Sequence, residues 1–343
     1  MALHILQWHI THRCNLRCAH CYQRGYLQES PKALLGEGLD KYVRFLAAKG
    51  LAGQVNLTGG EPLAHPDFWA LAGDIRRQGL RLGVLTNGTL VDADAARRLR
   101  ALEPAFVQVS LDGARERHDA IRGEGAFDRA LEGIDRLKDQ GVHVLVSFTA
   151  QKDNFRDFPA LSRICHRHRV DKLWWDRVVT DDTRALALNT DEFREMCRIA
   201  ARRRRRYRRA DGSSMVNCGR ALQFLATGRP CRYHCGAGGD LLIFLADGSV
   251  MPCRRLPFVI GNLRDGELAD IIAGSDVMRR LAAPRVPQGC EGCRHLPACR
   301  GGARCVTYAQ TGRLDLRDVN CWVKNCETVR FFTGFHQKPS NTN

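Results

Sequence analysis

The first 209 residues alternate between short apolar segments and segments whose apolar residues have helical spacing. The predicted strands are residues 3–10, 54–58, 81–86, 106–111, 142–150 and 172–179. The predicted helices are residues 32–49, 66–78, 92–102, 127–140, 155–168 and 191–209, the last with Thr190 or Asp191 as its N-cap. This alternation predicts an α/β fold built from six parallel βα units.

Right-handed crossovers curl six such units toward a barrel and leave that barrel incomplete. In barrels of this kind the functional groups lie at the carboxyl ends of the strands. Unusual sequences follow the predicted strands directly: Gly59-Gly60-Glu61 comes after the second strand, and Asn87-Gly88 after the third. We therefore expect one functional site at this edge of the sheet.

Three cysteines follow the first strand with the spacing C-x3-C-x2-C, at Cys14, Cys18 and Cys21. A structural zinc ion takes four ligands in a tetrahedron, and three thiolates alone do not complete it. They can hold three irons of a 4Fe-4S cluster and leave the fourth iron open to a small molecule. The alternative is a zinc knuckle completed by a nearby histidine. The candidates for that ligand are His9, His12 and His20.

Nine of the fifteen cysteines lie within residues 231–326. Residues 235–253 are typical of a hairpin in which two apolar strands meet at Asp247-Gly248, with a cysteine at each outer end. Further cysteines follow at positions 290, 293, 299, 305 and 321. In a reducing cytosol such clustering indicates metal binding rather than disulfides. Two structural zinc ions are the alternative, with Cys290-x2-Cys293 as a half-site.

The cysteine loop resembles the cluster motif of the radical S-adenosylmethionine (SAM) enzymes, and the six-unit alternation is similar to their partial (β/α)6 barrel of the TIM type. The resemblance implies that SAM binds the open iron. It further implies that one electron, from a flavodoxin or ferredoxin, cleaves SAM to a 5′-deoxyadenosyl radical, which abstracts hydrogen from a substrate.

The same resemblance assigns residues to SAM binding. Gly59, Gly60 and Glu61 resemble the motif that binds the SAM amino group. Ser110 and Arg122 resemble the pair that holds the SAM carboxylate, which arginine can bind in a bidentate manner. The other candidates for this pocket are Asn87, His20 and Tyr22, each with a packing or turn role as its alternative.

The second half resembles the SPASM domain, a small α+β unit of peptide-modifying radical SAM enzymes, which implies two auxiliary clusters and three 4Fe-4S clusters in all. Ala303 stands where the family pattern has a cysteine, so the fourth ligand of the first cluster is either Cys305 or absent. The other ligands implied for the first cluster are Cys231, Cys235 and Cys253, and those for the second are Cys290, Cys293, Cys299 and Cys321, with Cys218 and Cys326 as spare candidates. The implied domains are a barrel core (1–190), a bridging basic helix and linker (191–228), the SPASM domain (229–326) and a tail (327–343).

The formal net charge is +16, and its densest part is a run of seven arginines within residues 202–209. Such a run suits an acidic peptide, a nucleotide or nucleic acid, or it is the solvated face of a helix. No apolar run approaches the roughly 20 residues that span a bilayer, and no signal peptide is visible. We therefore expect a cytoplasmic protein with no membrane partner.

We expect oxidative maturation of a ribosomally made precursor peptide, by cross-link or thioether formation. Sulfatase maturation is disfavoured because Arg254 stands where those enzymes carry an aspartate. One alternative is a radical SAM enzyme that acts on an anionic nucleotide, sugar or tetrapyrrole precursor, or that inserts sulfur from an auxiliary cluster. An alternative of another class is a non-enzymatic metal-binding protein that binds nucleic acid through the arginine run.

Overall fold

Nine strands form one continuous sheet in the structure, a computed structural model that describes residues 1–21, 30–179, 184–228, 233 and 235–323. In chain order the strands are β1 (Leu3–Thr11), β2 (Ala52–Gly59), β3 (Arg81–Thr86), β4 (Phe106–Ser110), β5 (Val144–Ala150), β6 (Lys172–Arg177), β7 (Leu241–Phe244), β8 (Ser249–Met251) and β9 (Gly261–Asn262). Their order across the sheet is β6-β5-β4-β3-β2-β1-β7-β8-β9. Neighbours from β1 to β6 pair in parallel, as the alternating sequence predicts.

Helices connect and cover these strands. They are α1 (Lys32–Lys49), α2 (Phe68–Arg77), α3 (Ala93–Ala101), α4 (Arg115–Arg122), α5 (Ala126–Asp139), α6 (Phe158–Arg167), α7 (Thr190–Arg206), α8 (Phe224–Thr227), α9 (Leu268–Gly274), α10 (Asp276–Ala282), α11 (Leu296–Cys299) and α12 (Arg304–Thr311). Among the described residues, none of these helices is both long enough and apolar enough to cross a membrane. The α/β class and the six βα units are confirmed.

Two local predictions differ from the structure. Helix α4 is not predicted, because only His118 and Ile121 among its eight residues are buried and the apolar signal is correspondingly weak. The N-cap of α7 is Asn189, not Thr190 or Asp191. The Asn189 side chain accepts from the Glu192 amide at 2.9 Å, and the Glu192 carboxylate accepts from the Asn189 amide at 2.8 Å. This reciprocal pair satisfies two helix-end donors at once.

Strand β1 lies in the middle of the sheet because the cysteine-rich half adds its strands to the other side of it. Strand β7 pairs with β1 in parallel, from Ile5 opposite Leu241 to Trp8 opposite Phe244. The predicted hairpin is confirmed, since β8 returns antiparallel to β7 after the Asp247-Gly248 turn. The Trp8 and Phe244 rings pack edge to face with centroids 5.4 Å apart. The two halves of the chain therefore share one core.

Two adjacent residues at the end of β6 form charged contacts with the cysteine-rich half. Arg177 donates to both carboxylate oxygens of Asp318, at 2.7 and 2.8 Å, and both side chains are buried. Asp176 accepts from Arg255 at 2.8 Å. Asp318 also accepts from the backbone amide of Ala303 at 2.8 Å. Because Asp176 and Arg177 carry opposite charges, each can pair with only one of these partners, and the pairs fix how the segments with the later cysteines dock on the barrel.

We expect Asp318→Asn to lower the free energy of unfolding by about 3–5 kcal/mol, because it leaves the Arg177 guanidinium buried without a counter-charge. Anaerobic urea unfolding followed by tryptophan fluorescence measures the change. Asp315→Asn is the matched control, since the Asp315–Arg313 pair is exposed, and its midpoint should not move. Equal effects of the two substitutions would contradict a structural role for the buried pair.

Candidate active site

The turn Gly59-Gly60-Glu61 lies directly against the start of the cysteine loop. The amide of Gly60 donates to the Thr11 carbonyl at 2.7 Å, and the amide of Glu61 donates to the Arg13 carbonyl at 2.8 Å. A Cβ atom on Gly60 would lie 2.1 Å from the Arg13 carbonyl oxygen. The loop can therefore approach β2 this closely only because glycine occupies the position.

Glu61 connects the ends of β2 and β3. Its carboxylate is fully buried and accepts from the Thr86 hydroxyl at 2.7 Å, the Asn87 amide at 2.8 Å and the Leu63 amide at 3.2 Å. Burial raises the pKa of Glu61 to about 7, although these hydrogen bonds favour the ionised form. The carboxylate is a fixed, partly protonated acceptor at neutral pH.

Asn87 extends this network to the cysteine loop. Its side-chain NH2 group donates to the Asn15 side-chain oxygen at 2.8 Å and lies 3.8 Å from the Cys14 sulfur. Asn15 in turn donates to the Thr89 hydroxyl at 2.8 Å. Asn15 is a site residue that the sequence analysis does not identify, because an asparagine inside a cysteine motif carries no separate signal.

Arg122, Asp112 and His20 form a charged cluster on the other side of the loop. Arg122 Nε donates to Asp112 at 2.7 Å, while Arg122 Nη1 lies 3.7 Å from the Cys18 sulfur. His20 Nε2 lies 3.4 Å from the same Asp112 oxygen. Burial alone would raise the pKa of Asp112, but Arg122 and His20 outweigh it and hold that pKa below its usual range.

Asp112 is the second site residue that the sequence analysis misses. It is fully buried, and it also accepts from the Thr149 amide at 2.9 Å. In the sequence the pair Asp112-Gly113 after a strand looks like a turn, and only the fold brings it beside Arg122. Ser110, two residues earlier, has its hydroxyl 3.5 Å from that of Ser147 on β5. Tyr22, also predicted for the SAM pocket, lies outside the described residues.

All three loop cysteines are at least partly accessible to solvent. Cys14 is exposed, and Cys18 and Cys21 are partly exposed. Among the described residues, no three His, Cys, Asp or Glu side chains lie close enough together to hold a single metal ion. In an iron–sulfur cluster each thiolate binds its own iron, so the thiolates need not meet at one point. Three thiolates that each bind one iron suit a cluster whose fourth iron is open.

Polar side chains line the inner face of the barrel between this site and the later cysteines. Trp174 on β6 donates from its indole nitrogen to the Gln108 side chain at 2.9 Å. The Arg220 guanidinium stacks over the Trp174 ring, 4.8 Å from its centroid, and lies 3.4 Å from Asp176. Burial would raise the pKa of Asp176, but Arg255, Arg220 and Arg177 hold it at about 2. The mouth of the barrel thus presents an aromatic face and a partly exposed guanidinium.

The four cysteines predicted for the second auxiliary cluster line one cavity of about 150 Å³. They are Cys290, Cys293, Cys299 and Cys321. Burial and the three neighbouring thiols raise the pKa of Cys290 to about 11. Four thiols around a common space of this kind fit a complete 4Fe-4S ligand set.

Three of the cysteines predicted for the first auxiliary cluster lie near one another. Cys235, Cys253 and Cys305 pack against the same small apolar group formed by Ala237, Leu256 and Leu281. Burial, with the nearby Cys253 and Cys235 thiols, raises the pKa of Cys305 to about 12. Cys231 lies outside the described residues.

Ala303, which stands where the SPASM pattern has a cysteine, has a structural role in this protein. Ala303 is the N-cap residue of α12 and is buried, and its amide donates to Asp318. Cys305 follows in the first turn of α12. The position is thus occupied by a core side chain, and a thiol is present two residues later, beside Cys253 and Cys235.

Residues 8–161 match the Radical SAM superfamily, and residues 235–294 match an iron–sulfur cluster-binding domain, SPASM. Together with the barrel and the two groups of cysteines, these matches define the chain as a radical SAM protein with a SPASM domain. The protein belongs to the radical SAM superfamily and is an enzyme that uses SAM and iron–sulfur clusters.

Individual relatives cover the chain to different extents. Fe-coproporphyrin III synthase of Methanosarcina barkeri is 35% identical over 57% of this chain, and the match spans 49% of that protein. Mycofactocin maturase MftC of Mycolicibacterium smegmatis is 29% identical over 92% of this chain and 82% of its own length. Among solved structures, native anSMEcpe with bound AdoMet and Cp18Cys peptide superposes with a TM-score of 0.78 at 18% identity, covering 94% of both chains. At that identity the likeness concerns the fold alone.

We expect Glu61→Gln to remove a pH dependence of stability. The unfolded chain releases this proton near pH 4.5 and the folded chain near pH 7. Raising the pH through this window therefore favours the unfolded state, by up to about 3 kcal/mol. Urea unfolding at intervals from pH 5 to pH 7.5 should show a decline in the free energy of unfolding that the variant lacks.

Glu132→Gln, a substitution of an exposed glutamate on α5, is the control and should keep the wild-type decline. Identical pH curves for wild type and Glu61→Gln would show that the raised pKa is wrong.

Proposed function

We propose that the enzyme oxidatively modifies a ribosomally made peptide, using a SAM-binding 4Fe-4S cluster held by Cys14, Cys18 and Cys21. The observation that carries the proposal is the solvent-accessible thiol trio at the sheet edge, together with two further groups of cysteines in the second half of the chain. When bound, this cofactor pair supplies a 5′-deoxyadenosyl radical that removes a hydrogen atom from the substrate.

The residues around the trio would orient and hold these groups. Asn87 and Arg122 each direct a nitrogen toward a cysteine sulfur, Cys14 and Cys18 respectively. Such N–H groups stabilise negative charge on sulfur and tune an attached cluster. Glu61, although its carboxylate already accepts three bonds, places negative charge beside the site for the SAM ammonium group. Further candidate contacts are Gly59, Gly60, Ser110, His20 and Tyr22.

Arg122 already has a carboxylate partner in Asp112. For the SAM carboxylate it would use the nitrogens that Asp112 does not occupy, since a guanidinium has five donors. Asp112 then acts as a positioning residue, because it fixes the direction of the guanidinium fork.

We infer two auxiliary 4Fe-4S clusters. The complete set that lines the cavity is Cys290, Cys293, Cys299 and Cys321. The other set is Cys235, Cys253 and Cys305 with Cys231.

We also propose the domain limits 1–190, 191–228, 229–326 and 327–343. Strands β7 and β8 of the third unit are joined to the barrel sheet. A cytoplasmic setting with a flavodoxin or ferredoxin donor completes the proposal.

A peptide substrate is supported by the maturase relative, which matches over nearly the whole chain. The barrel mouth, with Trp174 beside Arg220, offers both an apolar surface and a cation to a peptide segment.

A tetrapyrrole precursor is the second candidate. The Fe-coproporphyrin III synthase relative supports it over 57% of this chain. Arg220 at the barrel mouth suits a carboxylate substituent as well as it suits a peptide. Mass spectrometry of a co-expressed precursor peptide discriminates the two: loss of hydrogen with a new linkage supports the peptide, and turnover of an iron coproporphyrin without peptide change supports the tetrapyrrole.

We expect Cys14→Ala, Cys18→Ala and Cys21→Ala each to reduce dithionite-driven formation of 5′-deoxyadenosine to background, because each removes an iron ligand of the SAM site. Liquid chromatography with mass detection measures the nucleoside. Cys165→Ala is the control, since Cys165 is a buried thiol of α6 away from the site. Retention of SAM cleavage in the trio variants would refute the assignment of the cluster.

We expect about twelve irons per chain after anaerobic reconstitution, which corresponds to three 4Fe-4S clusters. The pair Cys290→Ala/Cys321→Ala should lose about four irons and keep SAM cleavage. Cys305→Ala should show whether that thiol is the fourth ligand of the first auxiliary cluster, because loss of iron from this variant identifies it as one. About eight irons in the wild type would mean that the first auxiliary cluster is absent because alanine replaces a cysteine at position 303.

A further inference from the structure

The arginine run at the end of α7 contains no acidic residue between positions 202 and 209. Several exposed arginines on other helices pair with a carboxylate one turn away, as Arg77 does with Asp74 and Arg97 with Asp94. Within the described part of the chain, none of the seven arginines at 202–209 forms an ion pair with a carboxylate. The negative end of a helix attracts cations only within its last turn, and like charges one turn apart repel each other. The run therefore leaves positive charge uncompensated.

Part of this charge surrounds an open cavity of about 170 Å³. Arg204, Arg205 and Arg208 line it together with Ser214 and Thr227. The wall opposite the helix is the turn that follows α7, where residues 208 and 214 pair across an antiparallel bridge. Three guanidinium groups and two hydroxyl-bearing residues around one space are a donor-rich environment.

The lining arginines differ in how firmly they are held. Arg204 donates to the Val216 carbonyl at 3.3 Å, and its own carbonyl accepts from the Ser214 hydroxyl at 3.0 Å. Arg205 and Arg208 are exposed. The acidic residue of the turn, Asp211, accepts from the Ser213 amide at 2.8 Å and interacts electrostatically with Arg209. Arg204 is thus held against the turn by a hydrogen bond, whereas Arg205 and Arg208 are exposed to solvent.

The cavity lies near the amino end of β6, whereas the thiol trio follows the carboxyl end of β1. Helix α7 begins beside the cysteine-rich half, where the Thr190 hydroxyl donates to the Val319 carbonyl. The segment that follows α7 and lines the cavity meets the start of β6, where the Met215 carbonyl accepts from the amide of Leu173. The four-cysteine cavity adjoins it through α8, because Phe224 lines that cavity and Thr227 lines this one. A helix of 17 residues is about 25 Å long. A ligand in the cavity therefore cannot touch the reacting atoms.

We propose that this cavity, which we call the arginine cavity, docks an acidic segment of the peptide substrate at a distance from the residue that is modified. The proposal rests on the peptide function above. Guanidinium groups bind carboxylates in a bidentate manner. To span about 25 Å, the docking segment and the modified residue must be separated by at least about eight residues of extended chain.

The lining favours an acidic peptide over nucleic acid. Binding of single strands uses aromatic side chains on which bases stack, and no aromatic residue lines the arginine cavity among the described residues. The nearby Tyr207 ring is covered by Arg203 and packs against His166. A cavity of about 170 Å³ admits one or two carboxylate groups rather than a duplex.

The test uses the reconstituted full-length enzyme and dye-labelled octaglutamate as the probe, with fluorescence anisotropy at physiological ionic strength. We expect Arg205→Ala/Arg208→Ala to weaken binding at least about tenfold, since two charge-assisted contacts are lost. Arg77→Ala/Arg97→Ala removes the same charge from exposed helices and should change binding less than about twofold. Arg205→Lys/Arg208→Lys keeps the charge and should give an intermediate affinity.

Equal weakening by the two double alanine variants overturns the proposal, because net charge alone would then explain binding. Tighter binding of a labelled single-stranded oligonucleotide of the same charge, lost in the same variant, overturns the peptide assignment. Formation of 5′-deoxyadenosine is measured in parallel and should not change. If only Arg205→Ala/Arg208→Ala weakens octaglutamate binding but no precursor peptide is modified, the peptide function is wrong and the cavity still binds acidic peptides. If a precursor peptide is modified but both double alanine variants bind octaglutamate equally well, the docking proposal alone is wrong.

Discussion

The close contact between the Gly59-Gly60 backbone and the carbonyls of Thr11 and Arg13 determines where the cysteine loop lies. A side chain at Gly60 would collide with the loop, so the absence of a Cβ atom is what brings β2 and the loop together. Once they meet, Glu61 can reach the end of β3, and Asn87 can reach Cys14. The thiol trio is therefore positioned by backbone contacts beneath it. The charged side chains of the site therefore contact a loop whose first residues are already held in place by the backbone.

The second organising feature is the pair of charges at the end of β6. Asp176 and Arg177 point to opposite faces of the strand and find partners on different segments of the cysteine-rich half, Arg255 and Asp318. Arg255 follows Cys253 closely, and Asp318 precedes Cys321. One strand end thus sets the position of both groups of later cysteines relative to the barrel. Because the pair Arg177–Asp318 is buried, a shifted docking would leave a desolvated charge without compensation.

Much of this organisation follows from the sequence, and the rest depends on contacts distant along the chain. The alternating apolar segments predict all six parallel strands, because strand burial leaves a local signal. Helix α4 has almost no such local signal, because few of its residues are buried. The roles of Asp112 and Asn15 become visible only in the fold, where β4, α4 and the cysteine loop meet. The four-cysteine group of the second auxiliary site is recognisable from spacing, whereas its shared cavity is not. The pairing of β7 with β1 is likewise invisible locally, since hairpin residues carry no mark of the strand they will join.

The central place of β1 has a consequence for how the polypeptide is made. Residues 5–8 are synthesised more than two hundred positions before their second neighbour, residues 241–244. Until then one side of β1 is an unpaired edge, which is a template for misassociation with other chains. Such a long delay between partners slows folding and exposes a nascent intermediate to aggregation. The pairing of β1 with β7 is therefore a late step, which completes the sheet only after the cysteine-rich half has been synthesised.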